Sequence, residues 1–129
     1  MNVFVECSPA LDACTITHDS VRLDEPEDVE QWRQLVMSSL QSALGSHRAY
    51  ILVDYAGFTV SPLVADAYGK VAEEIRSRFA KDVFRYGAQD PLSAASARLQ
   101  SVKRAHSSNL FATRQQALAA LERARRSAR

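Results

Sequence analysis

From Asn2 to Ser8, apolar Val3, Val5 and Cys7 alternate with Asn2, Phe4 and Glu6, and after Pro9–Asp12 the alternation resumes from Ala13 to His18, with Cys14 and Ile16 on one side. A period of two belongs to a pleated strand with one buried face, so the two runs predict an antiparallel hairpin. Val21-Arg22-Leu23 extends or kinks its end ahead of the first helix. Tyr50-Ile51-Leu52-Val53 is apolar almost without interruption and ends in Asp54, which suits a strand covered on both faces. Val83-Phe84-Arg85-Tyr86 predicts a further strand, and Asn109-Leu110-Phe111-Ala112 a short last one.

Between the strands the period lengthens to that of a helix. Val29, Trp32, Val36, Leu40 and Leu44 fall on one face, and Gly45 stands where a left-handed stop is expected. Val64, Tyr68, Val71, Ala72, Ile75 and Phe79 make a second stripe; Leu92, Ala95, Leu99 and Val102 make a third, weaker one; Ala117, Leu118 and Leu121 make the last. Pro26, Pro62 and Pro91 each follow a residue able to cap, Glu25, Ser61 and Asp90. That pattern marks three helix starts, because the N–H a proline lacks is one the first turn cannot use. Thr113-Arg114-Gln115-Gln116 has the form of a capping box and starts the fourth helix.

The order β-β-α-β-α-β-α-β-α predicts a single α/β domain over residues 1–129, with four helices and a mixed sheet of about five strands. The N-terminal hairpin supplies its antiparallel part. The segment from Ala49 to Tyr86 fixes the class most firmly, since parallel strands this close in sequence are joined by a crossover helix on the sheet's face.

At 129 residues and 47% hydrophobic content, the chain can bury a core without a metal or disulfide staple. No apolar run approaches the ~20 residues needed to cross a bilayer, and Met1–Glu6 lacks the basic start and long apolar core of a signal peptide, so a cytoplasmic location is expected. Cys7 and Cys14 have no metal-ligand spacing. A hairpin could set them opposite each other, but the expectation in a reducing compartment is two small buried thiols. His18, His47 and His106 have no His or Cys at ligand spacing, and neither a Gly-rich phosphate loop nor a G-x-S-x-G elbow is present, so no metal, cofactor or catalytic constellation is expected.

The net charge of +1 hides a division: residues 1–69 hold three basic and ten acidic side chains, residues 70–129 thirteen basic and five acidic. Such polarity favours an acidic partner or self-association, including a homodimer; at the helix end Arg123, Arg125, Arg126 and Arg129 also complement the dipole. Basic residues there are not interleaved with aromatics, so nucleic-acid binding is not expected. Trp32 is expected in the core.

With this order the chain resembles the STAS family (sulfate transporter and anti-sigma-factor antagonist), and more closely its SpoIIAA-like branch of small bacterial proteins. The resemblance lies in the pattern of Ala49-Tyr50-Ile51-Leu52-Val53-Asp54-Tyr55, similar to the family's central strand, and of residues 109–121, similar to its final strand and helix. It implies a regulatory module that binds a protein partner, with a serine phosphorylated by a partner kinase at the start of the helix after the central strand. The matching place here reads Val60-Ser61-Pro62-Leu63, with Ser61 as the counterpart and no Asp before it.

A parallel sheet offers its usable loops at the carboxyl ends of its strands. Here these are Asp54–Ser61 and Arg85–Asp90, and Asp54, Tyr55, Thr59, Ser61, Arg85, Tyr86 and Gln89 are the candidates for a partner or ligand site. The reading is a non-enzymatic cytoplasmic binding module acting through protein contacts at these loops. The alternative is a small anionic or lipid-like ligand in the same crevice, gripped by Arg85 and helix N-termini.

Overall fold

The computed structural model describes residues 1–88 and 109–128. The expected third helix, with Asp90, Pro91 and its stripe from Leu92 to Val102, lies outside the described residues, as do Gln89, His106 and Arg129. Strands β1 (Asn2–Ser8) and β2 (Ala13–Asp19) form the antiparallel hairpin, with Val5 opposite Ile16. Strand β4 (Ala49–Asp54) lies parallel to β2, β6 (Ala80–Tyr86) parallel to β4, and β7 (Leu110–Phe111) parallel to β6. The five-stranded sheet thus has the order β1-β2-β4-β6-β7.

Helix α1 (Pro26–Leu44) crosses from β2 to β4 and α2 (Ala65–Phe79) from β4 to β6. Both cover one face of the sheet, where Ile16, Ile51, Val53, Trp32, Leu40, Ile75 and Phe79 form the larger core. Helix α3 (Arg114–Ser127) covers the other face, packing Ala117 and Leu121 on Tyr50, Leu52, Phe84 and Tyr86. β4 is therefore buried on both sides, which is why its apolar run does not alternate. Each fully buried Leu or Ile there contributes roughly 1.5–3 kcal/mol through removal from water.

The caps form largely as expected. Asp28 accepts from the backbone N–H of Glu25, Pro26 opens α1, and Gly45, at φ 59°, ends it by donating to the Gln41 carbonyl. Thr113 accepts from the N–H of Gln116, but the Gln116 side chain reaches back to the N–H of Ala112 rather than to the cap itself. Pro62 opens a 3-10 turn, Pro62–Val64, and the α-helix begins only at Ala65.

Two further expectations need correction. Val21–Leu23 is not a mere extension of the hairpin: as β3 it pairs in parallel with β5 (Phe58–Val60), a strand inside the stretch expected to be loop, giving a separate two-stranded sheet. Pairing between three-residue strands 37 positions apart leaves no periodic trace in sequence. Cys7 and Cys14 are also not two buried thiols: they are directly opposed in the hairpin and joined by a disulfide, with Cys7 exposed and Cys14 buried. The hairpin register alone brings them within bonding reach. No helix among the described residues is long and apolar enough to cross a membrane.

Candidate functional site

The tips of β4 and β6 lie side by side, with Asp54 opposite Tyr86 and the Tyr55 N–H donating to the Tyr86 carbonyl at 2.8 Å. Beyond its tip, β4 turns at once. The Asp54 carboxylate accepts from the N–H of Ala56 at 2.9 Å, the Phe58 N–H donates to the Tyr55 carbonyl, and Gly57 supplies the left-handed step at φ 71°. A Cβ on Gly57 would stand 3.0 Å from the His18 carbonyl. On the neighbouring tip, a Cβ on Gly87, at φ 79°, would stand 2.8 Å from Asp54 Oδ1, so the glycine is what lets the two tips close.

Strand alternation then divides the candidates. Asp54 and Tyr86 share the α3 face with Tyr50 and Leu52. Burial, and next the Asp54 charge, push the Tyr86 hydroxyl above the usual tyrosine range, while Arg114 at the start of α3 works against both. Tyr55 and Arg85 face the α1/α2 side. The Tyr55 hydroxyl lies 3.1 Å from that of Tyr68, which burial raises well above its ordinary value, followed by the influence of Tyr55; the Arg85 charge acts in the opposite direction. Thr59 is exposed on β5, away from both groups and opposite Arg22. Ser61 caps the 3-10 turn, accepting from the Leu63 N–H, while its own N–H donates to the Leu23 carbonyl. Asp54, Tyr55, Arg85 and Tyr86 therefore gather at the tips but on two faces of the sheet.

Beneath the tips sits an aromatic block that sequence reasoning did not assemble. The His18 ring packs on Phe58 with centroids 4.4 Å apart, and Phe58 in turn contacts Tyr55, Tyr68 and Trp32. Trp32 Nε1 donates to His18 Nε2 at 3.1 Å, and His18 Nδ1 lies 2.7 Å from the Asp54 carbonyl oxygen. Indole N–H is a donor only, so Nε2 must carry the lone pair and Nδ1 the proton. His18 is thus held neutral in one tautomer. Burial is the main reason its pKa lies below the usual value, the Asp54 carbonyl and carboxylate offsetting part of the effect. His18, Trp32 and Phe58 sit on three separate elements, so no local spacing linked them.

Another missed feature is Leu63, which is 91% exposed on the capped turn, beside exposed Pro62 and within reach of Thr59 along the chain. The expected helix stripe began at Val64 and gave Leu63 no role; the 3-10 turn leaves it pointing into solvent. An open cleft of about 240 Å³ lies at the opposite end of the sheet, lined by the disulfide, Asp12, Leu44, His47 and Ala49. There Asp12 binds Lys81 at 2.6 Å and His47 at 3.2 Å. Burial works to raise its carboxyl, yet these two partners hold it below the ordinary value.

No protein-family model matches the chain, and no curated protein is significantly similar to it.

Proposed function

We propose that the chain is a non-enzymatic, STAS-like regulatory module that binds a protein partner through the Ser61 turn and the adjoining tips of β4 and β6. The exposure of Leu63 carries this reading. With the exposed Pro62 beside it, Leu63 leaves an apolar patch in water, and burying the isobutyl group in a contact would contribute roughly 1.5–3 kcal/mol. The turn that presents it is fixed before binding by the Ser61 cap and by the Val64 N–H donating to the Ser61 carbonyl, which lowers the ordering cost of association. The split of Asp54 and Tyr86 from Arg85 across the sheet favours this surface over one crevice closing around a small anionic or lipid-like ligand.

Phosphorylation of Ser61 by a partner kinase belongs to the same proposal. A phosphate there would sit at the N-terminal end of the turn leading into α2, where the dipole favours negative charge and the Leu63 N–H already donates to the Ser61 Oγ. The test is to isolate proteins bound by the native chain, purify the specific partner and measure its affinity for Leu63→Asp. A tenfold or greater loss with unchanged melting temperature is expected. Equal affinity for both chains would remove the proposed surface, and an unchanged mass at Ser61 after incubation with nucleotide and the partner would remove the phosphorylation switch.

A further inference from the structure

Strand β1 forms an outer edge of the five-stranded sheet. Three of the four large apolar side chains exposed among the described residues, Met1, Phe4 and Leu35, collect along it. Phe4 is 52% exposed on the strand itself, on the face opposite α1. Leu35 lies on the flank of α1 opposite Arg33 and Gln41, whose side chains bond to α2. Since α1 rests on β1 as well as on α2, that flank stands over the β1 edge.

Among the described residues the edge is lightly protected, with Glu6 its one charge. Asn2–Ser8 holds no proline and no lysine, and its register with β2 is unbroken by a bulge. The Cα atoms of Cys7 and Cys14 are 3.9 Å apart, which places this pair among the close, non-hydrogen-bonded positions of the ladder. By alternation Val3 and Val5 occupy the same kind of position, so the N–H and C=O groups of Val3, Val5 and Cys7 point away from β2.

We propose that β1 is a dimerisation strand, pairing antiparallel with β1 of a second copy about a two-fold axis at Phe4, so that two five-stranded sheets become one. Outward-pointing groups can bond only to outward-pointing groups, which puts the axis at a residue rather than between two, and the longest pairing puts it near the strand's middle. With Phe4 on the axis, Val3 of each copy exchanges hydrogen bonds with Val5 of the other. The two Phe4 rings then meet at a close, non-hydrogen-bonded position, and Glu6 faces Asn2 of the second copy. An axis at Val5 would set each Phe4 against a Glu6 carboxylate, and an axis at Glu6 would oppose two like charges. The only charged residue in β1 thereby selects the register. Such an isologous contact closes at two copies, unlike head-to-tail attraction between the acidic and basic parts of the chain, which would be screened by salt.

Sedimentation equilibrium of the full chain up to about 100 µM should give the dimer mass, unchanged at high salt. Phe4→Lys should give the monomer with the native circular dichroism, since the side chain it replaces is exposed on the single chain. Under mild oxidation Phe4→Cys should yield a covalent dimer linked at position 4 in both chains, whereas Glu6→Cys should not link to itself. A native monomer at that concentration, a dimer that survives Phe4→Lys or dissolves in salt, or equally fast linkage through position 6 would each overturn the proposal.

Discussion

Lowering the pH from about 7.5 to about 5 should weaken this protein through His18. Protonation would place an N–H at Nε2, facing the Trp32 Nε1–H 3.1 Å away, and leave a donor opposed to a donor inside the aromatic block. Its folded-state pKa is lowered, chiefly by burial, from an ordinary 6.5. The sign follows directly. Above 6.5 neither the folded nor the unfolded chain is protonated at His18, and its contribution to stability is intact. As the pH falls from there toward the lowered folded-state value, the unfolded chain gains a proton that the folded chain refuses, and stability declines. The slope cannot exceed about 1.4 kcal/mol per pH unit for one proton, which sets a ceiling of about 2 kcal/mol at pH 5. Against a typical total of about 5–15 kcal/mol this is a large share. The carboxylates held below their ordinary values, Asp12, Asp28 and Glu74, lose their contributions only in more acid solution, since those ordinary values are 3.8, 3.8 and 4.5. Trp32 is the only tryptophan, so urea unfolding followed by its fluorescence reports on the very block concerned. His18→Gln, which can still accept from the indole, should flatten the profile. A native profile that is flat between about pH 6.5 and about pH 5, or an equal decline in His18→Gln, would refute the tautomer assignment.

Reducing the Cys7–Cys14 disulfide releases a short loop, with a separation of seven residues, and should destabilise the chain by about 2–3 kcal/mol, read as a lower urea midpoint in dithiothreitol. An unchanged midpoint, with both thiols shown to be free, would mean that the hairpin holds without the bridge. Gly87→Ala should cost more than about 1 kcal/mol, because the left-handed backbone resists a Cβ and that Cβ would displace the Asp54 carboxylate from the Ala56 N–H. Thermal unfolding checks it, and a melting temperature equal to the native one would show that the tips do not depend on their close approach.

The amino-acid sequence by itself determined the local elements and their faces. The two-residue period of β1 and β2, the unbroken apolar run of β4, the stripes of α1 and α2 and the capping threonine of α3 all depend on neighbours a few positions away, and each element formed where those patterns lie. Alternation of strands and helices was enough to give a mixed sheet with parallel central strands. Only the tertiary structure decided what distant elements do to one another. It paired β3 with β5, set Cys7 against Cys14, seated His18 between Trp32 and Phe58, and turned Leu63 outward. The physical reason is that periodicity records whether a side chain is buried, whereas a hydrogen bond, a disulfide or a shared surface depends on register and rotation between segments that have no fixed spacing along the chain.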